Sequence, residues 1–103
     1  MYVIDDTIHA SAVVASVSKL SRRALREAVS CECARVIEAC DEVEAFELSR
    51  RYVPDVIVLS GDYGLERIRR DHELAGVPVI CLGAQDDAAY VTAQVRAALR
   101  RHQ

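Results

Sequence analysis

Hydroxyls, carboxylates, thiols and imidazoles are the side chains of this 103-residue sequence that have chemistry to offer. Among the hydroxyls, Ser60 has the most informative position. It closes residues 52–60, YVPDVIVLS, in which Val56, Ile57, Val58 and Leu59 are continuously apolar. A short run rich in β-branched residues suits a strand buried on both faces of a parallel sheet. In open α/β sheets, ligands and chemistry gather at the carboxyl ends of strands. That puts Ser60 at the site end and Asp55 at the wrong one. A serine becomes a nucleophile only beside an activating base, and none is evident near Ser60 in the sequence.

The carboxylates offer two places for a hard cation, which prefers oxygen ligands. One is Asp62, in the turn GDYG beside Tyr63, where a solvated loop acid is the plain reading. The other is the pair Asp5-Asp6 in YVIDD. The four thiols, Cys31, Cys33, Cys40 and Cys81, lie in or near apolar segments and lack the spacing of a disulfide framework. Cys31 and Cys33 form a CxC with no paired knuckle, so no zinc site is expected. All four are expected to serve as buried or half-buried small hydrophobes. His9, His72 and His102 show no convergent triad, so no enzyme is expected, and no cofactor or metal is implied.

These residues need a frame to hold them, and the sequence spells out an alternating one. Residues 11–18, SAVVASVS, read as a strand, and 19–30 as a helix with Ser18 as its N-cap. Leu20, Ala24, Leu25, Ala28 and Val29 recur at helical spacing, with Arg22, Arg23 and Arg26 opposite. Residues 33–39 are strand-like. Asp41 followed by Glu44 makes a capping-box start for a helix over 42–52, with Ala45, Phe46 and Ser49 inward. Pro54 then stands just before the strand 56–60 rather than inside it. A helix follows from 65 to about 71 with Leu65 and Ile68 inward, then a strand over 77–82. A last helix over 88–101 carries Val91, Val95, Ala98 and Leu99 on one stripe. Strand-helix alternation of this kind implies right-handed crossovers and a parallel sheet between helices.

The bulk numbers bound the rest. The length suits one domain over residues 1–103. Apolar residues make up 51% and aromatics 5%, so aliphatic side chains must fill the core. A net charge of -3 and a pI near 5.5 argue against a nucleic-acid partner, which selects for basic excess. No signal peptide or membrane-length apolar run is present, and a cytoplasmic location is expected.

With those elements in place, the chain resembles a response-regulator receiver domain. DEVEAFELSRRYVPDVIVLS resembles the family's second helix and third strand, including the Pro-Asp before the strand. GLERIRRDHELAGVPVICLGA resembles its third helix and fourth strand, and AVVASVSKLSRRALREAV its first strand and helix. The resemblance covers roughly residues 12 to 84, plus the last helix by pattern. It implies a flavodoxin-like, CheY-like α/β fold of three layers. Too few residues lie between Leu82 and the last helix for the family's fourth helix and fifth strand. The fold is thus expected to be shortened, with residues 1–11 as an extension that adds an amino-terminal strand.

The site residues that the resemblance implies are replaced one by one. The family's acidic pair after the first strand, which holds magnesium, falls on Ser16 and Val17. Its phospho-accepting Asp falls on Ser60. Its Thr or Ser after the fourth strand falls on Gly83, and its Lys after a fifth strand has no counterpart. The alternative placement, with Asp5-Asp6 as the acidic pair, puts 54 positions between Asp6 and Ser60 (60 minus 6) and needs an insertion.

The expected function is therefore a phosphorylation-independent pseudo-receiver that works as a protein-protein interaction module in bacterial-type signalling. The alternative is a phosphate- or nucleotide-binding crevice lined by Ser16, Ser18, Ser60, Gly61 and Gly83. Candidate contact residues are Asp62, Tyr63, Arg96 and Arg100. A homodimer is expected, through the amino-terminal segment or the sheet edge that the shortening exposes.

Overall fold

The computed structural model describes residues 10–61, 64–83 and 86–101. Its elements are β1 (Ser11–Ala15), α1 (Lys19–Val29), β2 (Arg35–Ala39), α2 (Glu42–Tyr52), β3 (Val56–Ser60), α3 (Leu65–Arg70), β4 (Val79–Leu82) and α4 (Ala88–Arg101). The four strands form one parallel sheet in the order β2-β1-β3-β4. The apolar runs of β1 and β3 thus occupy the two central places, where both faces are covered. The fold is the expected α/β sandwich. Of the amino-terminal extension expected over residues 1–11, residues 1–9 lie outside the described residues, and Ser11 is the first residue of β1.

Two cores flank the sheet because successive strand residues point to opposite faces. Val14, Val56 and Val58 pack with Leu25, Val29, Val91, Val95 and Leu99 of α1 and α4. Val13, Ile57 and Leu59 pack with Ala45, Ile68 and Leu74 on the side of α2 and α3. The last helix therefore leaves the outer strand β4 and returns beside α1. Thr92 Oγ1 donates to the Ala28 carbonyl at 3.2 Å, and Arg96 Nε donates to Glu32 Oε1 at 2.9 Å.

Local chemistry explains the boundaries. Ser18 Oγ accepts from the Ser21 amide at 3.3 Å and starts α1. Asp41 Oδ1 accepts from the Glu44 amide at 2.8 Å, while Glu44 Oε1 reaches back to the Cys40 amide at 2.9 Å. α2 ends on Val53, whose φ of 41° is left-handed and whose successor, Pro54, cannot extend a helix. Asp55 then ties the amino ends of the central strands together. Its Oδ2 accepts from the Ser11 amide at 2.8 Å, and its own amide donates to the Ser11 carbonyl at 2.9 Å. That is the structural use of the Pro-Asp pair. Gly64 has φ +82°, and a Cβ there would stand 3.1 Å from Glu42 Cβ. Glycine lets the β3–α3 connection press against the start of α2.

Several expectations need correction. β1 ends at Ala15, β2 starts at Arg35, and β4 starts at Val79, after Pro78. Leu20 and Ala24 are not in the core: Leu20 is 82% exposed and Ala24 is exposed. The apolar stripe of α1 is wider than the sector that meets the sheet. Cys33 is buried, but Cys31, Cys40 and Cys81 are exposed.

Candidate functional site

The topology gathers the loops after β1, β2, β3 and β4 at the carboxyl end of the sheet. Ser16 is 6% exposed and is held by the backbone around it. Its amide donates to the Ala39 carbonyl at 3.2 Å, and its hydroxyl accepts from the Ser18 amide at 3.3 Å. Arg22, one turn into α1, folds back over this loop. One terminal guanidinium nitrogen donates to the Ser16 carbonyl at 2.9 Å and to the Val17 carbonyl at 3.3 Å. Val17 itself is 84% exposed. A fixed cation and an apolar side chain thus occupy the loop that the family resemblance assigns to an acidic pair.

Ser60 is exposed at the end of β3, and the next amide, Gly61, donates to the Leu82 carbonyl at 2.9 Å. Gly83 is bracketed by Asp86, whose Oδ2 accepts from the Gly83 amide at 2.7 Å. Asp86 is thereby engaged as a turn residue. Ser16 and Ser60 share a small cleft with Ala15, Leu59, Asp41 and Glu42. Its volume of about 30 Å³ suits one or two water molecules.

Asp41 and Glu42 are the carboxylates that sequence reasoning missed. Asp62 stood in the sequence as the one acid near the site. Among the described residues, which do not include Asp62, Asp41 and Glu42 line the cleft. No local signal marks them: they enter because β2 lies beside β1, which brings the start of α2 to the same end. Yet Asp41 is committed to the N-cap of α2, and Arg22 contributes a positive charge to the adjoining loop. Magnesium sites need an oxygen-rich set with carboxylates. Among the described residues, no three of His, Cys, Asp and Glu converge into a metal-holding group.

The remaining sequence candidates are scattered. Asp62, Tyr63, Asp5 and Asp6 lie outside the described residues, as do His9 and His102. His72 is exposed in the turn after α3, and Arg100 is exposed on α4. Arg96 is bound to Glu32 across the α1–α4 seam, and that hydrogen bond and charge hold its guanidinium more firmly protonated. Burial pushes the Cys33 thiol up to about 11, with Asp55 and Glu32 adding to it. Desolvation, then Glu44 and Asp41, also raise the Cys40 thiol. Reactive cysteines need the opposite environment.

Among the described residues, no helix is long and apolar enough to cross a membrane. No family model and no curated protein sequence matches the chain. Solved structures do match it in shape. The chemotaxis response regulator CheY4 of Vibrio cholerae superposes with a TM-score of 0.77 at 13% identity, over 88% of this chain and 99% of that one. The response regulator receiver modulated diguanylate cyclase of Pelobacter carbinolicus gives 0.76 at 21% identity, over 89% and 93%. A response regulator from Desulfuromonas acetoxidans gives 0.75 at 12% identity, over 91% and 99%. At these identities the likeness carries the fold, and the chain has the fold of the response-regulator receiver domains.

Proposed function

We propose that this chain is a receiver-type module without phosphoryl-transfer chemistry, which acts by protein-protein contact in two-component-type signalling and is not an enzyme. The observation that carries the reading is the pairing of Ser60 at the end of β3 with the Arg22-bound loop after β1. Aspartyl-phosphate formation needs a carboxylate nucleophile and a metal to offset the transferred charge. Ser16, Val17, Ser60 and Gly83 offer no carboxylate, and Arg22 supplies its charge to carbonyl oxygens with no metal required. The partner then reads a surface set by the fold rather than by a phosphoryl group. The phosphate- or nucleotide-crevice alternative is the weaker one, because the cleft between Ser16 and Ser60 measures about 30 Å³.

The test is an amide NMR titration with magnesium and beryllofluoride, the mimic of an aspartyl phosphate. The expected outcome is no saturable shift at Ser16, Ser60, Gly61 or Gly83. Saturable shifts centred on Asp62, on Asp5 and Asp6, or on Asp41 and Glu42 overturn the reading and identify a relocated acidic site.

A further inference from the structure

Tyr52, the last residue of α2, is 40% exposed. The Arg35 guanidinium lies over its ring, with Cζ 5.2 Å from the centroid, and the Arg51 guanidinium lies over it at 5.6 Å. Arg35 reaches the ring from β2. Side chains of a strand alternate between faces, and Ile37, two places on, belongs to the α2–α3 half of the core. A cation this close to an aromatic face is held by the charge distribution of the ring. A guanidinium so held still has in-plane N–H donors that match a carboxylate. Arg35 and Arg51 are exposed, and no carboxylate among the described residues takes up those donors. The ion pairs there engage Arg26, Arg50, Arg70 and Arg96, and Glu47, one turn before Arg51, does not close on it.

The chain enters the fold beside this corner. The Ala10 carbonyl accepts from the Ala34 amide at 3.0 Å and from the Arg35 amide at 3.3 Å. Ser11 stands next to Arg35 in the sheet register. Residues 2–6, YVIDD, lie just upstream: three apolar side chains, then two carboxylates. Asp6 is four Cα steps from Ala10, an extended reach of about 14 Å. Neighbouring strands lie about 5 Å apart, so the tether is long enough to bring both acids onto Arg35 and Arg51. The nearby acid Asp55 does not compete, because its Oδ2 accepts from the Ser11 amide at 2.8 Å. The outer strand β4 is farther off, with β3 between it and β1.

We propose that residues 2–6 dock on this corner of their own chain, with Asp5 and Asp6 on Arg35 and Arg51 and residues 2–4 against the Tyr52 ring. Two carboxylates meet two guanidinium groups, and apolar side chains meet the exposed ring beside them. Exposed ion pairs are weak one by one. A short tether, however, holds the segment at an effective concentration on the order of millimolar, so weak contacts suffice to dock it. The contact is made by side chains rather than by ladder hydrogen bonds, which distinguishes it from the edge-pairing strand expected from the sequence. It lies at the amino end of the sheet, away from Ser16 and Ser60, and does not rest on how the carboxyl end is read.

Nuclear Overhauser spectroscopy of the full, isotope-labelled chain tests it. The expected result is cross-peaks between the Val3 and Ile4 methyl groups and the Tyr52 ring. Raising the salt from about 0.05 to about 0.5 M should weaken them severalfold. They should be lost in D5K/D6K, with the Arg35 and Arg51 Nε–H signals moving in the same variant. R35E/R51E should lose them too, and the four substitutions together, with the charges exchanged, should bring them back. Far-ultraviolet circular dichroism of each variant should match the parent. Where R35E/R51E departs from it, R51E alone carries the comparison. A parent chain without the cross-peaks, whose arginine signals D5K/D6K leaves unmoved, overturns the proposal. So do cross-peaks that D5K/D6K leaves at parental strength, and cross-peaks found only between differently labelled chains, which would place the segment on a second copy. Each of these failures leaves the phosphoryl-mimic titration, and the reading it tests, untouched.

Discussion

Cys33 is 4% exposed, and its thiol titrates near 11 rather than at its ordinary 9.0. The folded chain therefore keeps its proton where the unfolded chain has lost it. The stabilisation is fully present below pH 9 and is lost as pH rises to about 11, on the order of 2 kcal/mol. Urea melts across that window should show the loss in the parent, and Cys33→Ala should lack this component while keeping the part due to other groups. Val53 makes a second residue-scale case. A β-branched side chain at φ 41° is strained, and it is 48% exposed, so little packing compensates. Glycine relieves the strain at the cost of added freedom in the unfolded chain. Val53→Gly is expected to stabilise by up to about 1 kcal/mol, or several degrees in Tm. A lower Tm would show that the packing of Val53 outweighs its strain.

At the scale of elements, α2 depends on its first turn. Asp41 and Glu44 each satisfy an amide at its start, and Glu42 and Glu44 favour the positive end of the helix dipole. Asp41→Ala should cost about 1 kcal/mol, with local amide exchange at residues 42–46 rising before global unfolding. Unchanged exchange there would assign the cap no role. This helix, β3 and α4 were legible to the residue in the sequence, because Asp41, Pro54 and the Val91–Leu99 stripe mark them with local chemistry. The sector of α1 that faces the sheet was not legible. Helical spacing groups Leu20 and Ala24 with Leu25 and Val29, but only the crossing of helix over sheet decides which of them is covered. The same holds at the cleft. Ser16 and Ser60 could be placed by counting strands, whereas Asp41 and Glu42 enter only because β2 lies next to β1. Cysteine burial failed for a related reason: Cys31 and Cys40 follow the ends of α1 and β2, and Cys81 lies on the outer strand β4, so apolar neighbours in sequence do not cover them.

For the whole molecule, the sheet divides the core into two halves that share β1 and β3. Ile57 is 0% exposed and belongs to the α2–α3 half. Ile57→Ala should cost about 2 to 5 kcal/mol, as buried aliphatic truncations do, measured by urea denaturation. A loss under about 1 kcal/mol would mean that this half repacks around the gap. The other half is closed in a particular way. The Thr92–Ala28 hydrogen bond and the Arg96–Glu32 pair each join residues 64 positions apart. Closing so long a loop costs entropy before any contact repays it, whereas β1, α1 and β2 meet over much shorter spans. Folding should therefore order the amino-terminal β-α-β unit first and dock α4 late. In the native state, α4 should open as a cooperative unit of its own, with hydrogen-exchange protection below that of β1 and β3.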